Sequence, residues 1–285
     1  MRVLAPRAFF VRSWLLMRAS LLAVPLAAVY TLICGCSARS SASSMSARSG
    51  DSTLVPILVY HSVARHHASQ TGEQRELDVD TGVFREQMTY LANNNHPVVA
   101  FSDLIDELEG HRELPAGAVV ITFDDGWQDQ YEFAFPILQQ RHFTATFFIY
   151  TNAIGNGPGF MTWDELRQLQ QAGMTIAAHS RTHPIMTKPG VSLTNEIDSS
   201  RADIARNLGV APDLFAYPYG VWDTRIAAQV QAAGFRAARA LGGGAWNGAA
   251  NLFALRSVLA TDDMPVFERA LADRPPVTVS SRTGR

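Results

Sequence analysis

Short apolar runs alternate with segments of helical periodicity over most of this chain, and that alternation constrains the fold more than any other feature. Residues 55–60, 97–101, 118–123, 144–150, 174–178, 214–217, 235–238 and 254–258 read as strands. Between them the spacing predicts helices. The segment 81–93 places Phe84, Met88 and Leu91 on one face, and Ser102 opens a helix to residue 109. A further helix covers 131–140. Thr162 caps a helix over 163–172 that Gly173 ends, with Trp163 reading as core. One long helix covers 193–208 and stops at Gly209, another covers 223–233 and stops at Gly234, and a last lies near 265–271. Strands that alternate with helices pair in parallel, and runs this apolar are covered on both faces. The number of units suits a single α/β domain of the distorted (β/α) barrel type, with a doubly wound open sheet as the alternative.

The ends differ from this middle. Arg2, Arg7, Arg12 and Arg18 are positive, no acid precedes Asp51, and an apolar run over 21–33 leads into small residues. That is the pattern of a secretory signal, with Met1 or Met17 as the start. The stretch Leu32-Ile33-Cys34-Gly35-Cys36-Ser37 resembles a bacterial lipoprotein box, so Cys36 is the expected lipid carrier and membrane anchor. An uncleaved single span is the alternative, although the run is short for the ~20 residues a span needs. Either way the domain is exported. The division expected is a signal over 1–36, a small polar tether over 37–53, a folded domain over 54–272 and a tail of tether-like composition, expected to be disordered, over 273–285.

Cys34 and Cys36 are the only two cysteines, so the folded part has neither an internal disulfide nor a thiolate metal site. The net charge of -2 gives no basic excess for nucleic acid. No GxGxxG follows the first strand and no GxxxxGK[ST] occurs, so no nucleotide partner is expected.

Reactive residues collect where three predicted strands end, which is where α/β barrels carry their catalytic groups. One strand runs into Asp124-Asp125-Gly126, another into His179-Ser180-Arg181-Thr182-His183, and a third into Pro218-Tyr219-Gly220. Two adjacent carboxylates after a buried strand need a cation or hydrogen bonds beside them, and Gly126 permits a sharp turn. Pro184 stops any helix, so His179 and His183 lie on a loop from which two imidazoles can converge on one ion. Imidazole with carboxylate suits Zn²⁺, and also Co²⁺, Ni²⁺ or Fe²⁺. The bland readings are a solvated Asp-Asp-Gly turn and two surface histidines.

Thr122-Phe123-Asp124-Asp125-Gly126 followed by His179-Ser180-Arg181-Thr182-His183 resembles the first two motifs of the polysaccharide deacetylase (NodB-homology) family, and Ala216-Tyr217-Pro218-Tyr219-Gly220 resembles the third. The likeness spans residues 55–258. Tyr60-His61 on the first strand is similar to the branch that contains poly-β-1,6-N-acetylglucosamine deacetylases. The resemblance implies a metal-dependent hydrolase acting on an acetylated glycan. Asp125, His179 and His183 would be the ligands of a divalent metal, Asp124 the general base toward water, and the Tyr219 N–H a donor to the oxyanion. Trp127, Pro218, Tyr219, Trp222 and Arg256 are the candidates for substrate contact.

Two places depart from the family pattern. Ala216 stands where many relatives have an Arg that orients the base, and the segment Phe253-Ala254-Leu255-Arg256-Ser257-Val258 lacks the His that many use as general acid. His61 is the candidate acid, against a histidine satisfied by backbone at the barrel rim. His66 and His67 read as solvated, and Gly242-Gly243-Gly244 as a flexible loop at the groove rim. The remaining alternatives are a deacetylase of peptidoglycan, chitin oligomers or O-acetylated glycan, and a glycan-binding module without catalysis.

Overall fold

The computed structural model describes residues 53–65 and 77–272; the signal, lipid-anchor and tail expectations, and those for His66 and His67, lie outside these residues. Strand β1 (Thr53–Leu54) precedes β2 (Ile57–Tyr60) and β3 (Ser62–Ala64). Next come β4 (Asp78–Asp80), α1 (Thr81–Asn93), α2 (Phe101–Leu108) and β5 (Val120–Asp125). A π-helical turn, Gln130–Ala134, leads into α3 (Phe135–Gln140). Then follow β6 (Thr146–Ile149), α4 (Trp163–Gln171), β7 (Thr175–Ala178), α5 (Leu193–Glu196), α6 (Asp198–Leu208) and β8 (Leu214–Ala216). The chain continues through α7 (Thr224–Ala232), β9 (Ala237–Gly243), β10 (Trp246–Asn247), β11 (Leu255–Leu259) and α8 (Met264–Leu271).

Seven of these strands close a barrel in the order β11-β2-β5-β6-β7-β8-β9, and every pairing in it is parallel. Closure removes the free edges that a doubly wound sheet would leave. Alternation along the strands divides the core in two. Ile57, Val120, Phe148, Ala177, Ala216, Ala237 and Leu255 fill one cluster. Tyr60, Phe84, Phe123, Phe147, Ile176 and Phe215 pack in the other, with Trp163 half-buried against it. Phe123 stacks on Phe147 at 4.8 Å and on Tyr60 at 5.5 Å. Each side chain so buried contributes roughly 1.5–3 kcal/mol.

Local chemistry fixes the helix starts. Asp80 accepts from the Gly82 N–H, Asp223 from Ile226 and Asp263 from Val266. Thr162 and Glu165 form a reciprocal capping box.

Several elements differ from the sequence reading. The predicted strand over 97–101 is a single bridge, Val98 with Val119, and Phe101 opens α2 with Ala100 rather than Ser102 at its cap. Burial of Phe101 outweighs the missing side-chain cap. The single helix over 193–208 is two, meeting at the fully buried Ile197. The helix over 131–140 starts with the π turn. The strand over 118–123 runs on through Asp125, and the strand over 235–238 through Gly243, so Gly242 and Gly243 belong to β9 rather than to a loop.

Candidate active site

The carboxyl ends of β5, β7 and β8 bring the three motifs together. Asp124 and Asp125 still pair with Phe148 and Ile149 of β6, so the strand holds both carboxylates. Asp125 has φ of 75° and Gly126 of 82°. A Cβ on Gly126 would stand 2.9 Å from Ile154 Cδ1 and 3.0 Å from Ile149 Cγ2, and its left-handed backbone favours glycine in the turn. Ser180, His183 and Tyr219 also have positive φ. Four of the six such non-glycine residues among the described residues therefore lie in this site. Each is strained by roughly 1–2 kcal/mol, and strain concentrated in this way marks functional geometry.

Asp125 Oδ2 accepts from Trp127 Nε1 at 3.0 Å, while Oδ1 is buried with no hydrogen-bond partner. That oxygen lies 3.4 Å from His183 Nε2 and 3.7 Å from His179 Nε2, and the two ring nitrogens are 3.2 Å apart. His179 Nδ1 lies 2.8 Å from the Ala216 carbonyl, which can only accept. The proton therefore sits on Nδ1 and the Nε2 lone pair faces Asp125. Burial, with smaller effects from the neighbouring charges, pushes His179 down to about 3, so its ring is neutral. Burial also raises the Asp125 carboxyl to about 6. Donor atoms bound about 2.0–2.1 Å from one tetrahedral ion lie roughly 3.3–3.4 Å apart. The orphaned oxygen and the two converging ring nitrogens fit a divalent cation at close to that spacing. A second grouping, Asp106, Glu109 and His111, is partly exposed, and both its carboxylates are held by Arg236.

Glu196 shapes the histidine loop. Its buried carboxylate accepts from the N–H groups of Arg181 and Thr182 at 3.0 and 2.8 Å and from the Thr182 hydroxyl at 2.8 Å. Ser180 Oγ accepts from the His183 N–H at 3.0 Å. The break at Ile197 places α5 where Glu196 closes this loop.

Asp124 is buried beside this cluster but bonded elsewhere. Arg239 Nη2 donates to its two oxygens at 2.6 and 2.5 Å. Asp124 Oδ2 lies 3.9 Å from His61 Nε2 and 4.0 Å from His179 Nε2. Burial alone would raise the Asp124 carboxyl, but the Arg239 charge, with His179 and His61, outweighs it and holds the group below the usual carboxylate range. Arg239 itself is 1% exposed and lies over the Phe148 ring at 5.2 Å.

Sequence reading missed Arg239 because it ended the strand at Ala238, one residue before it, although the strand runs on to Gly243. The available signal was an arginine inside Ala-Ala-Arg-Ala, since a charge in an apolar strand needs a partner. It also missed Glu196, and it missed Tyr150 and Phe160, which with Trp127 build an aromatic wall. Trp127 stacks on Phe160 at 4.4 Å, Phe160 meets Tyr150 edge-on at 5.5 Å, and Tyr150 lies 5.2 Å from the His183 ring.

Of the other expected residues, Tyr219 lies 4.6 Å from the His183 ring and is 58% exposed. The turn around it closes through Gly220 N–H to the Tyr217 carbonyl and Val221 N–H to that of Pro218, so neither bond uses the Tyr219 N–H. Trp222 stacks on Tyr217 at 6.0 Å. Arg256 is exposed between the buried Leu255 and Ser257, its stem beside Gly243, and no described contact joins it to the cluster.

A closed parallel barrel with an Asp/His/His donor set at its carboxyl end is the NodB-type barrel of the carbohydrate deacetylases. Residues 111–238 match the polysaccharide deacetylase family model. It is 29% identical over 126 residues to poly-beta-1,6-N-acetyl-D-glucosamine N-deacetylase of Escherichia coli K12, an alignment that covers 39% of this chain and only 19% of that enzyme's length. It is 21% identical over 209 residues to the enzyme of the same name from Staphylococcus aureus MRSA252, covering 68% and 72% of the two chains. The Streptococcus pyogenes deacetylase PplD in complex with acetate has the same fold, with a TM-score of 0.70 at 22% identity over 79% of this chain and 100% of that one. IcaB from Ammonifex degensii matches at 0.68 and 22%, over 76% and 95%.

Proposed function

We propose that this domain is a metal-dependent hydrolase that removes N-acetyl groups from an extracellular amino-sugar polysaccharide, with poly-β-1,6-N-acetylglucosamine the first candidate. The observation that carries this reading is the division of labour between two adjacent carboxylates. Asp125 turns its free oxygen toward two imidazole nitrogens, while Asp124 is held apart by Arg239. Binding alone does not call for an ionised base beside a cation site, so a purely glycan-binding module is the weaker reading.

Asp125, His179 and His183 would hold the ion; Zn²⁺ suits the donors best, with Co²⁺, Ni²⁺ or Fe²⁺ also compatible. When bound, such an ion supplies Lewis acidity to an acyl oxygen and acidifies water. The protein's own groups do the rest. Asp124 Oδ2 takes a proton from the attacking water as its oxygen bonds to the acetyl carbon. The Tyr219 N–H donates to the oxyanion of the tetrahedral intermediate. As the C–N bond breaks, His61 Nε2 gives its proton to the departing amine, leaving acetate and a free amino sugar. Trp127, Tyr219 and Trp222 offer faces to the sugar; Pro218, expected beside them, is buried in the turn and offers none, and Arg256 is the least supported substrate contact.

The N-terminal pattern supports export and a lipid on Cys36. Among the described residues no helix is long and apolar enough to cross a membrane. A Cys36→Ser variant that stays in the membrane fraction would argue against that anchor.

The test is acetate release from β-1,6- and β-1,4-linked N-acetylglucosamine oligomers, with and without chelator. Chelator-sensitive release from the β-1,6 series is expected. Preference for β-1,4 oligomers would move the substrate toward chitin or peptidoglycan. Full ion occupancy with no acetate released from any acetylated glycan would overturn the enzyme reading.

A further inference from the structure

The β2–β5 ladder ends at the pair Tyr60 and Phe123. One residue further on, where the chemistry is, backbone pairing no longer fixes His61 relative to Asp124. The described bonds that join these two ends come from one buried side chain, Gln130. Its Nε2 donates to the His61 carbonyl at 2.7 Å and to the Asp124 carbonyl at 2.5 Å. The residue before it grips the next stretch of the same strand end. Asp129 accepts from the Ser62 hydroxyl at 2.6 Å and from the Val63 N–H at 3.3 Å. Three consecutive residues, His61 to Val63, are therefore tied down by two consecutive residues at the start of the π turn.

The Gln130 amide is a costly choice for packing alone. Its Oε1 is buried with no hydrogen-bond partner, and an unmet buried polar atom costs roughly 1–3 kcal/mol. An apolar side chain of similar length would avoid that cost but would lose the two donated bonds. The π turn that begins at Gln130 fits this reading, since such turns recur at functional sites.

We propose that Gln130 and Asp129 are positioning residues that set the separation of His61 Nε2 from Asp124 Oδ2, 3.9 Å in this structure. The proposal rests on the proton-donor role given to His61 above. It makes a demand that a scaffold role does not: the clamp should matter only when the leaving group needs a proton.

The experiment compares two substrates on the metal-loaded enzyme. One is an N-acetylglucosamine oligomer, whose amine must be protonated as it leaves. The other is an aryl acetate, whose phenolate leaves unaided. Gln130→Met and Gln130→Glu remove the donated bonds at similar length. Ser62→Ala loosens the second grip with little risk to folding. The expected result for Gln130→Met is a fall in kcat on the oligomer of roughly 10²-fold, with KM, metal content and aryl acetate turnover within about twofold of the parent. Ser62→Ala should show the same selectivity at smaller size. Combined with His61→Ala, the Gln130 change should add nothing further.

Equal losses on both substrates, or losses that multiply with His61→Ala, overturn the proposal. If His61→Ala is slow on the oligomer and neither clamp variant is, the clamp is wrong and the proton-donor role survives. If His61→Ala is as fast as the parent, both fall together. Should the Gln130 variants not fold, Ser62→Ala decides alone by its oligomer-to-ester ratio.

Discussion

Ala216 and Arg239 face each other as Cα partners across the β8–β9 ladder, and the Arg239 guanidinium crosses to Asp124. The arginine that many family members carry at the first of these positions is thus matched here by one on the neighbouring strand. A guanidinium beside Asp124 is present at the same level of the barrel, reached from the neighbouring strand rather than from the third motif.

That arrangement predicts a relocatable arginine. Arg239→Ala leaves Asp124 buried and unpaired, which costs roughly 3–5 kcal/mol of stability and lowers kcat. Placing Ala216→Arg in the Arg239→Ala background should recover part of both. Urea denaturation and acetate release measure the two effects. No recovery in either would mean that the strand of origin, and not the charge alone, matters.

Glu196 touches none of the three expected ligands, yet it closes the loop that carries two of them. Glu196→Ala should weaken Zn²⁺ binding by roughly 10–100-fold, read by calorimetric titration into metal-stripped protein, and excess Zn²⁺ should restore much of the turnover. Unchanged affinity would make Glu196 a purely structural residue.

Gly220 has φ of 68°, and a Cβ there would lie 2.5 Å from Leu241 Cβ and 2.6 Å from the Leu241 N. Left-handed strain and a backbone clash together put Gly220→Ala at roughly 2–4 kcal/mol of lost stability. Chemical denaturation checks the figure; a change under about 0.5 kcal/mol, the size of an ordinary surface substitution, would mean the turn has another form.

The α4 capping box gives a pH signature far from the chemistry. Burial alone would raise the Glu165 carboxyl, but hydrogen bonds from Gln128 and Thr162 outweigh it and hold the group below its ordinary value. A lowered folded-state pKa means that the contribution is complete above the ordinary glutamate value and is lost as pH falls through the folded one. Glu165→Gln should therefore flatten this part of the acid limb of a stability-against-pH curve. Thr162→Ala should cost about 1 kcal/mol near neutrality. An acid limb unchanged by Glu165→Gln would contradict the assignment.

The sequence by itself determined whatever depends on neighbours in the chain. Apolar periodicity set the run of strands and helices, and α1 begins and ends where its pattern does. Asp124, Asp125, His179 and His183 were legible because short motifs at strand ends carry them. What tertiary structure alone decided lies at long separation or overrides a local preference. Arg239 is 115 residues from Asp124, so no spacing rule connects them. Burial of Phe101 turned an expected strand into a helix start, and burial of Ile197 broke an expected long helix. Gln130 became a clamp only once the barrel had closed and brought the ends of β2 and β5 side by side. Local patterns encode which residues can react. Their relative placement is fixed by packing and by hydrogen bonds between segments, and these form only when the whole barrel does.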